Sequence, residues 1–254
     1  MTITFLGTGT SQGIPVIGST HPVNFSDNPK DKRLRSSVLV SDDNFQITID
    51  CGPDFRMQML NAKVTHLDGI IFTHEHSDHI AGLDDIRRFS QKQGNLPVYA
   101  QKRVLDVLIK RYDYIFDDNV VYKGKAKAKP IEIHDNQAFK INDKTIIPIP
   151  IMHGDLPILG FRMDNFAYLT DISDISKSSK QLLQNLDVLV VDALRIEPHY
   201  THFNLEQALA LIEDLKPKRS YLTHISHRLG FHDEVEKILP KYVFLSYDGL
   251  TIEL

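Results

Sequence analysis

Six consecutive residues, His74-Glu75-His76-Ser77-Asp78-His79, constrain this chain more than any other feature. They follow Asp68–Thr73 (DGIIFT), an apolar run that reads as a buried strand, so four imidazole or carboxylate side chains crowd the turn at a strand end. Imidazole nitrogen and carboxylate oxygen are the ligands that hold zinc and similar divalent ions. In such a turn His74 and His76 can point at one ion while Asp78 and His79 face a second. For a chain with 12 histidines in 254 residues, the pattern H-x-H-x-D-H arises by chance in about 1 of 400 cases. Capping the following helix would need one such side chain, not four.

Three more ligand-type residues stand just past apolar runs. His153 follows IPIPIM, Asp171 follows AYLT, and His224 follows SYLT in the string T-H-I-S-H. Each alone reads as a turn residue. A sheet presents its strand ends along one edge, however, and together with the 74–79 group they spell a dinuclear metal site.

The rest of the chain alternates short apolar strands with helical patterns. Strands are expected at Thr2–Leu6, Ser37–Val40, Phe45–Ile49, Pro97–Ala100, Ala167–Thr170, Asp187–Val191, Arg219–Thr223, Tyr242–Ser246 and Leu250–Glu253. Two strand pairs are expected, Ile131–His134 with Phe139–Ile141 and Thr145–Met152 with Ile158–Met163. Helical spacing marks 54–61, Leu83–Gln93, Val104–Ile115, Ser176–Asn185, Leu205–Leu215 with Asn204 as N-cap, and Asp233–Leu239. No repeat or long linker divides the chain, so 1–254 reads as a single α/β domain, a four-layer αββα sandwich of two mixed β-sheets flanked by helices.

Composition excludes several classes. Lys+Arg 29 against Asp+Glu 33 gives a formal charge of −4, which disfavours a general nucleic-acid coat. No run approaches the roughly 20 apolar residues of a membrane span. A single cysteine, Cys51, rules out an internal disulfide and a Cys-only zinc site. With no secretory signal at the N-terminus, the expected location is cytoplasmic.

The order H-x-H-x-D-H, His, Asp, His, each at a strand end, resembles the metallo-β-lactamase superfamily over essentially the whole chain. The resemblance implies that His74, His76 and His153 hold one metal and Asp78, His79 and His224 the other, with Asp171 bridging. Two divalent ions are implied, zinc first and manganese second, sharing a hydroxide that attacks the substrate. Four stretches, LGTGTSQGIPV, KDKRLRSSVLV, DCGPDFR and HYTHFNLEQAL, are similar to the PhnP-like phosphodiesterases. That subgroup implies a small phosphodiester substrate, a cyclic or nucleotide-like phosphate, with His202 acting near the leaving group. Asp78 and His202 are thus the expected catalytic residues, and a general acid is what a departing alkoxide needs. Asn204 caps the next helix better than His202 could.

The chain departs from the subgroup in one place. Where three cysteines of an extra zinc site would stand, it carries Ser19, His21 and Asn24, while the late histidine survives as His227. Two imidazoles without thiolates make a poor structural zinc site. Asp50 and Asp192, also at strand ends, read as supporting or structural carboxylates, a place from which one of them can orient a ligand imidazole. The opening Gly7–Gly13 loop lacks the G-K-[ST] of a nucleotide loop and reads as a tight turn. Lys123, Lys125, Lys127 and Lys129 read as a solvated edge, since the protruding arm of tRNA-processing nucleases has no counterpart. His66, His134 and His232 read as surface or turn histidines, and Cys51 as a core filler. The rivals are a hydrolase of lactones or thioesters, an RNA-processing nuclease and a non-enzymatic metal-binding module. No membrane partner is expected, nucleic acid is disfavoured, and a homodimer is the assembly to test.

Overall fold

Strands of this chain divide between two seven-stranded sheets. A computed structural model describes residues 1–117, 119 and 124–254. The first sheet holds β1 (Thr2–Gly7), β2 (Ser37–Asp42), β3 (Phe45–Ile49), β4 (Gly69–Ile71), β5 (Leu96–Ala100) and β6 (Ala128–Glu132). The second holds β7 (Phe139–Ile141), β8 (Lys144–His153), β9 (Leu156–Met163), β10 (Phe166–Leu169), β11 (Val188–Asp192), β12 (Arg219–Thr223) and β13 (Val243–Leu245). A last strand, β14 (Thr251–Glu253), returns to the first sheet beside β1. Both sheets are mixed: β14-β1-β2-β3 and β7-β8-β9-β10 pair antiparallel, whereas β3-β4-β5-β6 and β10-β11-β12-β13 pair parallel. The chain thus repeats one pairing plan twice without repeating its sequence.

Three apolar clusters show the layering. One, with Phe5, Ile47, Phe161, Tyr168 and Val190, lies between the sheets. A second packs the outer face of the first sheet under α1 (Phe55–Asn61), α2 (Ser77–Ile80), α3 (Arg87–Gln93), α4 (Lys102–Arg111) and α5 (Asp113–Phe116). The third packs the second sheet under α6 (Lys177–Gln181), α7 (Leu205–Leu215) and α8 (His232–Glu236). Parallel strands buried on both faces need continuous apolar runs, and β11 (VLVVD) supplies one in which every residue is buried. Pro148 and Pro150 sit in β8 beyond Ile146, where the β7 pairing has ended and a lost N–H costs no ladder bond on that side. This is the expected αββα sandwich.

Three expectations are corrected. Ile131–His134 and Phe139–Ile141 do not pair: β6 runs parallel to β5 in the first sheet, and β7 forms a hairpin with β8 in the second. Sequence proximity suggested a hairpin where the chain instead crosses between sheets. The helix expected over Val104–Ile115 is broken at Tyr112 into α4 and α5. The lysine run is also not uniformly solvated, since Lys125 is buried and donates to the Asp117 carbonyl. Lys123 lies outside the described residues.

Candidate metal centre

β8, β10, β11 and β12 run in one direction, so their C-terminal ends meet one edge of the second sheet. The ends of the parallel pair β3–β4 carry the residues that face them. Three residues that leave these ends take the left-handed conformation, Asp50 (φ 68°), Asp171 (φ 57°) and His224 (φ 53°). That region costs a residue with a Cβ about 1 kcal/mol or more, least for Asp, Asn and His. The chain accepts the cost at the positions where a sharp turn aims a ligand-type side chain back over the strand end.

All seven expected ligands converge. His74, His76 and His153 form one group whose nitrogens lie within 4.8 Å of one another, and Asp78, His79, Asp171 and His224 form a second. Asp171 stands between them. Its Oδ2 is 3.2 Å from His79 Nε2, and its Oδ1 is 3.4 Å from His224 Nε2 and 4.0 Å from His153 Nε2. His202 and Asp192 adjoin both groups.

The donor set fits divalent cations. Among the described residues, buried His74 Nε2, His79 Nε2 and His224 Nε2 have no hydrogen-bond partner, a costly arrangement unless a ligand satisfies them. For His79, His74 and His153 the other nitrogen is fixed from behind, as metal-binding imidazoles require. His79 Nδ1 meets Asp50 Oδ2 at 2.7 Å, His74 Nδ1 meets Thr73 Oγ1 at 2.9 Å, and Thr73 in turn donates to Asp50. His153 Nδ1 donates to the Thr201 carbonyl at 2.8 Å. Burial disfavours charge throughout, yet Asp78, Asp171 and Asp50 hold His79 above the usual imidazole range, and Asp171 and Asp78 do the same to His224. Against the same burial, these imidazoles keep Asp78 and Asp171 below the ordinary carboxylate range. Burial pushes His74 and His153 the other way, toward the neutral form that ligates metal. A pocket that draws positive charge onto itself in this way is built for cations.

The opening glycine loop borders the site. Thr10 N–H donates to the Ile225 carbonyl and Ile225 N–H to that of Thr8, which clamps the residue after His224. At Gly52, an added Cβ would lie 2.0 Å from the Asp78 carbonyl, so the loop after Asp50 can press on the ligand turn only without a side chain. Ser19 and Asn24 hydrogen-bond each other at 2.8 Å, and the His21 and His227 rings meet edge-on at 5.0 Å. No third ligand-type side chain joins those two imidazoles among the described residues.

Sequence reasoning missed several partners. His232 is buried, and its Nδ1 lies 3.2 Å from Arg33 Nη2, so it is no surface histidine. Arg33 is itself buried and bonded to Thr8 and Ser246. Glu75, between two ligands, is held by Arg103, and Ser77 accepts from Arg111, both arginines being on α4. Nothing in the spacing of these residues announces the pairs. Cys51 is buried with its thiol pushed up by burial, as a core filler should be.

The sandwich and the His/Asp cluster at its edge define the class of metal-dependent hydrolases built on the metallo-β-lactamase fold. The β-lactamase superfamily domain profile matches residues 46–225, and the chain belongs to that superfamily, in its PhnP-like branch. The crystal structure of a new diphosphatase from the PhnP family superposes with a TM-score of 0.92 at 40% identity, covering 100% of this chain and 97% of that one. Zn(2+)-bound PqqB from Methylobacterium extorquens superposes at 0.80 over 100% of both chains, with 18% identity, and shows the shared fold. An octanoyltransferase of Porphyromonas gingivalis (strain ATCC BAA-308 / W83) is 40% identical over 247 residues, 96% of this chain and 50% of that protein. The chain therefore spans about half the length of that relative.

Proposed function

We propose that this domain, residues 1–254, hydrolyses a small phosphodiester, a cyclic or nucleotide-like phosphate, with two divalent cations. His74, His76 and His153 would hold one, Asp78, His79 and His224 the other, and Asp171 would serve both. When bound, such ions supply positive charge to phosphoryl oxygens and lower the pKa of water enough for it to act as nucleophile near neutrality. The observation that carries the reading is a proton donor standing beside the whole ligand set. His202 Nδ1 lies 2.9 Å from Asp192 Oδ2, and its ring lies 4.7 Å from that of His153 and 4.8 Å from that of His224.

Burial pushes His202 down to about 4 and raises the Asp192 carboxyl well above its usual range. These directions describe one uncharged dyad: the carboxyl proton sits on the Nδ1 side and Nε2 carries its own N–H. That N–H is the proton offered to a departing alkoxide while the Asp192 carboxyl passes its own proton to Nδ1, so the dyad ends as a neutral imidazole beside a carboxylate. Asp78 shapes the reaction from the ligand side, through its contacts with His79 and His224.

A small substrate is favoured over RNA because the KGKAKAK stretch offers no continuous basic surface among the described residues, with Lys125 turned inward. The name of the Porphyromonas relative raises a second reading, hydrolysis of an octanoyl thioester or similar carboxyl derivative. Cys51 is too buried to carry an acyl group, so that chemistry would also fall to the metal centre. The test is turnover of bis-p-nitrophenyl phosphate, nucleoside cyclic phosphates and octanoyl thioesters by protein loaded with Zn or Mn. Diester turnover should exceed thioester turnover. No diester hydrolysis by folded, metal-loaded protein would sink the proposal.

A further inference from the structure

Tyr200 is 70% exposed, which for a lone aromatic residue is ordinary. Its surroundings are not. Its hydroxyl donates to Asp155 Oδ2 at 2.6 Å, so the ring is tethered across to the hairpin that follows His153. Its ring edge presses on Gly154, where an added Cβ would lie 3.1 Å from Tyr200 Cε1 and 2.9 Å from Thr201 Cγ2. Gly154 also needs its positive φ of 60°. A solvated tyrosine requires neither the tether nor the glycine beneath it.

The position of this fixed ring matters. Gly154 directly follows the expected ligand His153, whose Nδ1 is held by the carbonyl of Thr201, the residue after Tyr200. His202, the proposed proton donor, is two residues further on. The neighbouring His199 accepts the Thr201 N–H at Nδ1, and its ring lies 5.3 Å from that of His202. The flat ring thus stands against the residue that follows His153 and two residues before His202, the proposed proton donor. A ring fixed before binding loses little entropy when a second ring stacks on it.

We propose that Tyr200 determines specificity by stacking against a nucleobase carried on the departing side of the substrate, so that the leaving alcohol belongs to a nucleoside. This rests on the phosphodiesterase reading above and narrows its substrate class. A sugar or alkyl leaving group would gain little from the ring, whereas a base stacks on it through its whole face.

Two measurements test it. Calorimetry compares binding of AMP and ribose 5-phosphate, which differ by the base. Wild-type protein should bind AMP about 10-fold more tightly. Tyr200→Ala should erase that difference, and Tyr200→Phe, which keeps the ring, should retain most of it. Turnover then compares adenosine 2′,3′-cyclic phosphate with methyl riboside 2,3-cyclic phosphate, and Tyr200→Ala should raise KM for the adenosine compound about 10-fold more than for the other. Equal affinity of wild type for AMP and ribose 5-phosphate would overturn the inference, as would equal losses on both ligands in Tyr200→Ala. An intact AMP preference without diester hydrolysis would support stacking while sinking the reaction reading.

Discussion

His202 and His232 are both buried, both pushed down to about 4, and opposite in what they do. His202 adjoins the ligand cluster. Replacing it with alanine should lower kcat about 100-fold or more for diesters with alkoxide leaving groups. The loss should shrink for p-nitrophenolate, which departs without a proton, while metal content stays at the wild-type level; an equal loss on both substrates would indicate a structural role. His232 instead accepts from Arg33, with Lys30 nearby adding to the cost of its charge and Asp233 and Asp31 offsetting part of it. Its folded pKa lies below the unfolded 6.5, so the unfolded chain takes up the proton first. The stability it contributes is complete above about pH 6.5 and is lost as pH falls toward 4. Thermal melts of His232→Asn, which keeps an acceptor for Arg33, should show wild type losing its advantage over the variant across that window. The cluster of candidate ligands was legible because metal chemistry restricts their types and spacing. His232 was not, because its partner lies 199 residues away in the chain.

The elements around the site meet with little slack. Gly52 follows β3 and lies against the Asp78 carbonyl in α2. Gly52→Ala should therefore push this loop and α2 apart, costing about 1–3 kcal/mol in denaturant melts and weakening metal uptake alongside. Stability unchanged within error would contradict the close approach. Most strands and α7, with its Asn204–Gln207 capping box, were readable from apolar patterning and cap chemistry. The mispaired β6 and β7 were not. Their local patterns suit a hairpin equally well, and only the partners β5 and β8 decide which sheet each strand joins. The break at Tyr112 was equally hidden, since apolar spacing continues across it.

At the scale of the whole molecule, the last strand pairs with the first, Thr2 opposite Glu253, so both ends of the chain belong to one sheet. Calorimetry should accordingly show one cooperative unfolding transition. Metal that binds only the folded state should raise its midpoint in a concentration-dependent way, and a chelator should reverse the rise. Two separate transitions, or a midpoint indifferent to zinc and manganese, would contradict the one-domain, metal-linked picture. No helix among the described residues is long and apolar enough to cross a membrane. By itself the sequence determined the ligand types, their place at strand ends and the layered α/β class, because coordination chemistry and residue periodicity are local properties. The tertiary structure alone decided that left-handed turns aim Asp171 and His224 at the site and Asp50 at the back of His79, that Asp192 backs His202, and that Tyr200 is pinned over Gly154. Those facts depend on how separate segments meet in space, and no local pattern encodes them.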